Sequence, residues 1–120
     1  MATIHSYKEL IVWQKAMDLC LKIFDITERF PKEEQYGLSS QLRRAALSIP
    51  SNIAEGRSRG TKREFVQFLR IAYGSSAEVE TQLEVAQRWN KTKNADFSDV
   101  NALLLEVMKM LKSMIAKLNP

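Results

Sequence analysis

Glycine and proline are scarce in this chain, at four and three of 120 residues. A sheet protein of this length punctuates its hairpins far more often, so an all-β fold is excluded. The one cysteine, Cys20, has no partner for an internal disulfide, which rules out a disulfide-stapled scaffold and suits a reducing compartment. The one histidine, His5, has no cysteine or acid at ligand spacing, so the common zinc patterns are missing. No apolar run approaches the ~20 residues that cross a bilayer, and no membrane partner is expected. The opening residues have no basic region followed by an apolar stretch, so the expected compartment is the cytoplasm. A glycine-rich phosphate loop is also missing, because Gly56 and Gly60 bracket an arginine-rich turn. No catalytic residue, metal or cofactor is expected, and the chain reads as a non-enzyme.

What remains is helical. The apolar and charged fractions, 45% and 27%, are those of an ordinary globular protein, and 120 residues suit one domain, taken as 1–120. Ser6 to Glu9 and Thr61 to Glu64 fit the capping box, in which a hydroxyl and a carboxylate satisfy backbone N–H groups at a helix start. Asp96 and Asp99 mark a third start. The spacing predicts helices over 7–29, 38–55, 62–88 and 97–118, with a turn over 32–36. Phe30-Pro31 should stop the first, and Gly56 should cap the second in a left-handed conformation. Short connections make neighbouring helices antiparallel, which gives an all-α, up-and-down four-helix bundle. Pro50 lies inside the second helix, where it removes a backbone donor, so a kink is expected there. The flanking Ser48, Ser51 and Asn52 could satisfy the freed carbonyl.

The first and last helices each carry two adjacent apolar stripes. On the first, Trp13, Met17, Cys20 and Phe24 run beside Val12, Ala16, Leu19 and Ile23; on the last, Leu104, Met108 and Leu111 run beside Leu103, Val107, Met110 and Met114. A helix that covers a core needs one stripe roughly 100° wide. Either these two helices are buried deep in the bundle, or the second stripe meets another subunit; the subunit contact is expected, with Val12, Leu19, Ile23, Leu103, Val107, Met110 and Met114 at a homo-oligomer interface.

Several runs resemble one known family. They are Val12-Trp13-Gln14-Lys15-Ala16, Phe30-Pro31-Lys32-Glu33-Glu34, Tyr36-Gly37-Leu38 and Gln41-Leu42-Arg43-Arg44-Ala45-Ala46. Ser48-Ile49-Pro50-Ser51-Asn52-Ile53-Ala54-Glu55-Gly56 and Ala72-Tyr73-Gly74-Ser75-Ser76 complete the set. Together they make the chain similar to the 23S ribosomal RNA intervening-sequence proteins, also called four-helix bundle proteins. The resemblance implies an antiparallel bundle assembled as a ring, typically a homopentamer, with no established enzymatic activity. A related branch, the accessory proteins of diversity-generating retroelements, is basic and associated with nucleic acid and a reverse transcriptase.

The formal charge is +4, and it is unevenly spread. Between Leu42 and Arg70 stand Arg43, Arg44, Arg57, Arg59, Lys62, Arg63 and Arg70, against only Glu55 and Glu64. Six of the eight arginines fall in this window, and arginine grips phosphate through a planar fork. These seven residues are the candidate contacts to an RNA or DNA backbone. Arg59, Arg63, Gln67 and Arg70 follow the spacing of one helix face, and Arg43 and Arg44 should lie near Arg70 across a hairpin. The competing reading is a scaffold ring that captures a partner protein, its arginines serving as structural ion pairs.

Overall fold

The structure is a computed structural model that describes residues 6–34 and 37–119. His5 and Tyr36, named above, lie outside the described residues. The described residues form no strand; they form four long helices, α1 (Ile11–Glu28), α2 (Leu38–Ser58), α3 (Lys62–Arg88) and α4 (Ser98–Leu118). Two 3₁₀ turns, Tyr7–Glu9 and Lys32–Glu34, precede α1 and α2.

Local chemistry explains some of the boundaries. The Ser6 side chain accepts the Lys8 N–H but caps the 3₁₀ turn; Leu10, extended at φ −72° and ψ 126°, separates that turn from α1. At α3 the Thr61 hydroxyl accepts the Glu64 N–H at 3.2 Å and donates to the Glu64 carboxylate at 3.0 Å. Before α4, Asp96 accepts both the N–H and the hydroxyl of Ser98.

Gly56 departs from the expectation of a left-handed cap. It is buried inside α2, which runs on to Ser58, and the positive φ belongs to Gly60 at 90°. The missing side chain at Gly56 serves packing instead: a Cβ there would lie 2.5 Å from the Phe68 Cβ. Pro50 also sits inside α2, buried. The Asn52 amide donates to the Ser48 carbonyl at 2.8 Å and to the Ser48 hydroxyl at 2.9 Å; that hydroxyl in turn lies 2.8 Å from the Ser75 hydroxyl on α3.

Each helix packs on two others. α1 touches α2 and α4, α3 touches α2 and α4, and the α2–α3 pair is the most heavily packed. These contacts fit a four-helix bundle measuring 49 × 22 × 22 Å. Lys15–Glu106 at 3.3 Å and Lys22–Asp99 at 3.8 Å lie along the α1–α4 seam.

The core overturns part of the expected oligomer interface. Val12, Leu19, Ile23 and Val107 are at most 1% exposed, so they belong to the protomer's own interior. The cause is geometric: a bundle helix that packs against two neighbours needs a face wider than one stripe. Leu103, Met110 and Met114 are partly buried and pack against that core. The large apolar side chains left in solvent are others, namely Ile11, Leu21, Leu47, Ile71, Val85 and Leu105.

Candidate nucleic-acid interface

α3 starts at Lys62 because Thr61 caps it, and its period then sets the basic residues apart from the core. Val66, Leu69 and Ala72 turn inward, while Lys62, Arg63, Gln67 and Arg70 are exposed. Lys62, Arg63, Gln67 and Arg70 line an open groove of 640 Å³ whose floor includes Val66. Leu118 and Asn119, at the end of α4, form its other wall. No acidic side chain lines this groove among the described residues, and none pairs with Lys62, Arg63 or Arg70.

The other basic residues go elsewhere. Arg43 turns onto α1. Its Nε donates to the Thr27 hydroxyl at 2.8 Å, its Nη2 donates to the Phe24 carbonyl at 3.3 Å, and its guanidinium lies 5.1 Å from the centre of the Phe24 ring. Glu28 stands 3.5 Å from the same Nη2. This is an interhelical tie, and it takes one edge of the guanidinium out of reach of an external phosphate. Arg59 is similarly engaged, at 2.7 Å from Glu55 and 3.7 Å from Glu64, with its guanidinium over the Phe68 ring. The hydrogen bond to Glu55, then the charge of that carboxylate, pushes the Arg59 pKa above its ordinary value. Arg57 is half-buried near the end of α2, and Arg44 is exposed on α2.

Arg43 and Arg44 do not join Arg70. Gly56 lies against Phe65 and Phe68, and Ser48 against Ser75, so Arg70 is level with the Ile53 stretch of α2. Arg44 is then roughly 13 Å further along the helix, at ~1.5 Å per residue. The expected seven-residue patch thus resolves into a groove with three cations, two engaged arginines, and Arg44 and Arg57 on α2. The wall supplied by Leu118 and Asn119 carries no signal in the sequence; it arises from where α4 ends against α3.

The described residues contain no group of three or more His, Cys, Asp or Glu side chains that could hold a metal ion. None of their helices is long and apolar enough to cross a membrane. Desolvation raises the thiol pKa of buried Cys20, which disfavours the reactive thiolate.

No curated protein matches the chain. A solved structure aligns with a TM-score of 0.73 and 26% identity, covering 88% of this chain and 98% of the other. It is a protein of unknown function from the S23 ribosomal protein family of Bacteroides thetaiotaomicron VPI-5482, solved at 1.70 Å. The family profile described as 23S rRNA-intervening sequence protein matches residues 8–113, and the chain belongs to that family.

Proposed function

We propose that this protein is a non-catalytic, cytoplasmic homo-oligomer that associates with the sugar–phosphate backbone of RNA or DNA. Lys62, Arg63 and Arg70 would carry the contact, with Arg44 as a more distant flank. The observation behind this reading is the α3 groove, where three cations face solvent with no carboxylate in its lining. Arg59 is ion-paired to Glu55 and Glu64, and Arg43 lies against α1, away from this groove, so both leave its contact set. The groove offers charge and one amide, Gln67, which favours backbone contact over base reading.

The chain is read here as an antiparallel up-and-down bundle with α2 bent at Pro50. The Ser48–Ser75 and Gly56–Phe68 approaches support the antiparallel order, and the Asn52 bond to the Ser48 carbonyl supports a local adjustment near the proline. Exposed Ile11, Leu21, Leu47 and Leu105 are the large apolar side chains that assembly would cover. A pentamer rests on the family resemblance alone, as does a reverse transcriptase as protein partner. The exposed apolar side chains also favour a second reading, a scaffold ring that binds a partner protein without touching nucleic acid.

Fluorescence anisotropy against generic RNA and DNA across a salt series tests the first reading. Three phosphate contacts give a log–log salt slope of about −2 to −3. The double variant Arg63→Glu, Arg70→Glu should abolish binding, while Arg59→Ala should leave it nearly unchanged. Binding no tighter than millimolar at low salt, or binding indifferent to the double variant, overturns it in favour of the scaffold.

A further inference from the structure

A second basic site lies away from the α3 groove, where the end of α1 meets the start of α2. A cavity of 270 Å³ is lined there by Thr27, Glu28, Lys32, Ser39 and Arg43, together with Phe30 and Pro31. Arg43 is rigid before any ligand arrives: Thr27 fixes its Nε, the Phe24 carbonyl fixes its Nη2, and the Phe24 ring lies beneath it. Thr27 is itself locked, because its buried hydroxyl donates back to the Ile23 carbonyl at 2.7 Å. The Arg43 Nη1 has no acceptor among the described residues. Ser39 also lines this cavity, and its hydroxyl makes no hydrogen bond among the described residues. Lys32, on the 3₁₀ turn, adds a flexible cation with no carboxylate paired to it among the described residues.

We infer that this cavity binds the terminal phosphate of a phosphate monoester, through Arg43 Nη1, the Ser39 hydroxyl and the Lys32 ammonium. Three donors from two separate elements suit the three free oxygens of a tetrahedral dianion better than the two of a planar carboxylate. Prior fixing of the guanidinium removes most of the ordering cost of binding. Glu28 is the one opposing charge in the lining; its side chain is 75% exposed, so it is free to swing into solvent. The site shares no residue with the Lys62–Arg70 groove, and either reading can fail without the other.

Titrations followed by ¹H–¹⁵N NMR at matched ionic strength test the inference, using inorganic phosphate, adenosine 5′-monophosphate, adenosine and acetate. Phosphate and the monophosphate should shift the Ser39 and Ser40 amides saturably, and adenosine and acetate should not. Arg43→Lys keeps the charge but loses the fork, and should weaken binding about tenfold. Glu28→Gln should tighten it about threefold by removing the competing carboxylate. A purely structural Arg43 would give no such gain. Short RNAs with 5′-phosphate or 5′-hydroxyl ends, tested in the Arg63→Glu, Arg70→Glu background, separate a nucleic-acid end from a free metabolite as the source. Non-saturating shifts, equal response to acetate, or unchanged affinity in an Arg43→Lys variant with native circular dichroism each overturn the assignment. If Arg43→Lys does not fold, Ser39→Ala and Glu28→Gln decide it, and unchanged affinity in both counts against the site.

Discussion

Gly56 of α2 and Phe68 of α3 approach so closely that a Cβ on the glycine would stand 2.5 Å from the phenylalanine Cβ and 3.3 Å from the ring of Phe65. The atom in the way is the root of a side chain, not a flexible tip, so a larger residue must push the two helices apart. Gly56→Ala should therefore destabilise the protein by about 1–3 kcal/mol, despite alanine's better helix propensity. Gly74, exposed within α3 with nothing within 4 Å of its would-be Cβ, gives the opposite sign. Gly74→Ala should stabilise by about 0.5–1 kcal/mol. Urea unfolding of the two variants checks the pair, and equal effects would refute the close-approach account.

Two helix starts should respond differently to their own perturbations. Thr61→Ala removes the hydroxyl that accepts the Glu64 N–H, and should cost about 0.5–2 kcal/mol. Asp96 should show itself through pH. The hydrogen bonds from the Ser98 hydroxyl and then the Ser98 N–H hold its carboxyl below the usual aspartate range. A depressed folded pKa contributes stability that is complete above the unfolded pKa and disappears as pH falls through the folded one. Thermal melts of Asp96→Asn and wild type should differ at neutral pH and converge in strong acid. Curves that stay parallel throughout would sink this assignment.

Two leucines on nearly opposite faces of α1 should respond differently to substitution. Leu19 is fully buried and Leu21 is 59% exposed. Leu19→Ala should cost about 2–5 kcal/mol through the cavity it leaves. Leu21→Asp and Leu105→Asp should change the unfolding midpoint little. If those faces join subunits, light scattering should show mass falling toward the 13.8 kDa protomer. A wild-type particle of protomer mass at micromolar concentration would remove the oligomer altogether.

The start of α3 was readable because it is marked by short-range chemistry. Thr61 and Glu64 sit three residues apart, and α3 begins where that spacing places it. The break at Leu10 has no such marker, so the sequence pattern runs the 3₁₀ turn and α1 together. Gly56 was misread because a glycine near a helix end fits both a cap and a close approach, and only the partner helix decides between them. The basic window was visible as composition, but the direction of each arginine was not. Arg43 turned inward because Thr27 and Phe24 of α1 lie opposite it, sixteen and nineteen residues earlier in the chain. The double stripe was real, yet Val12, Leu19, Ile23 and Val107 on it are buried between intramolecular neighbours, where contact with another subunit was expected.

The order of helix contacts sets how the molecule opens. Three of its four seams join helices consecutive in sequence, and only the α1–α4 seam joins elements from opposite ends of the chain. Forming that seam closes a loop through nearly the whole polypeptide, while the α2–α3 hairpin forms across three residues. The ion pairs along the seam, Lys15–Glu106 and Lys22–Asp99, are partly exposed and add little. Native-state fluctuations should therefore peel α4 away first, and amide protons in the middle of α2 and α3 should be the last to exchange with deuterium.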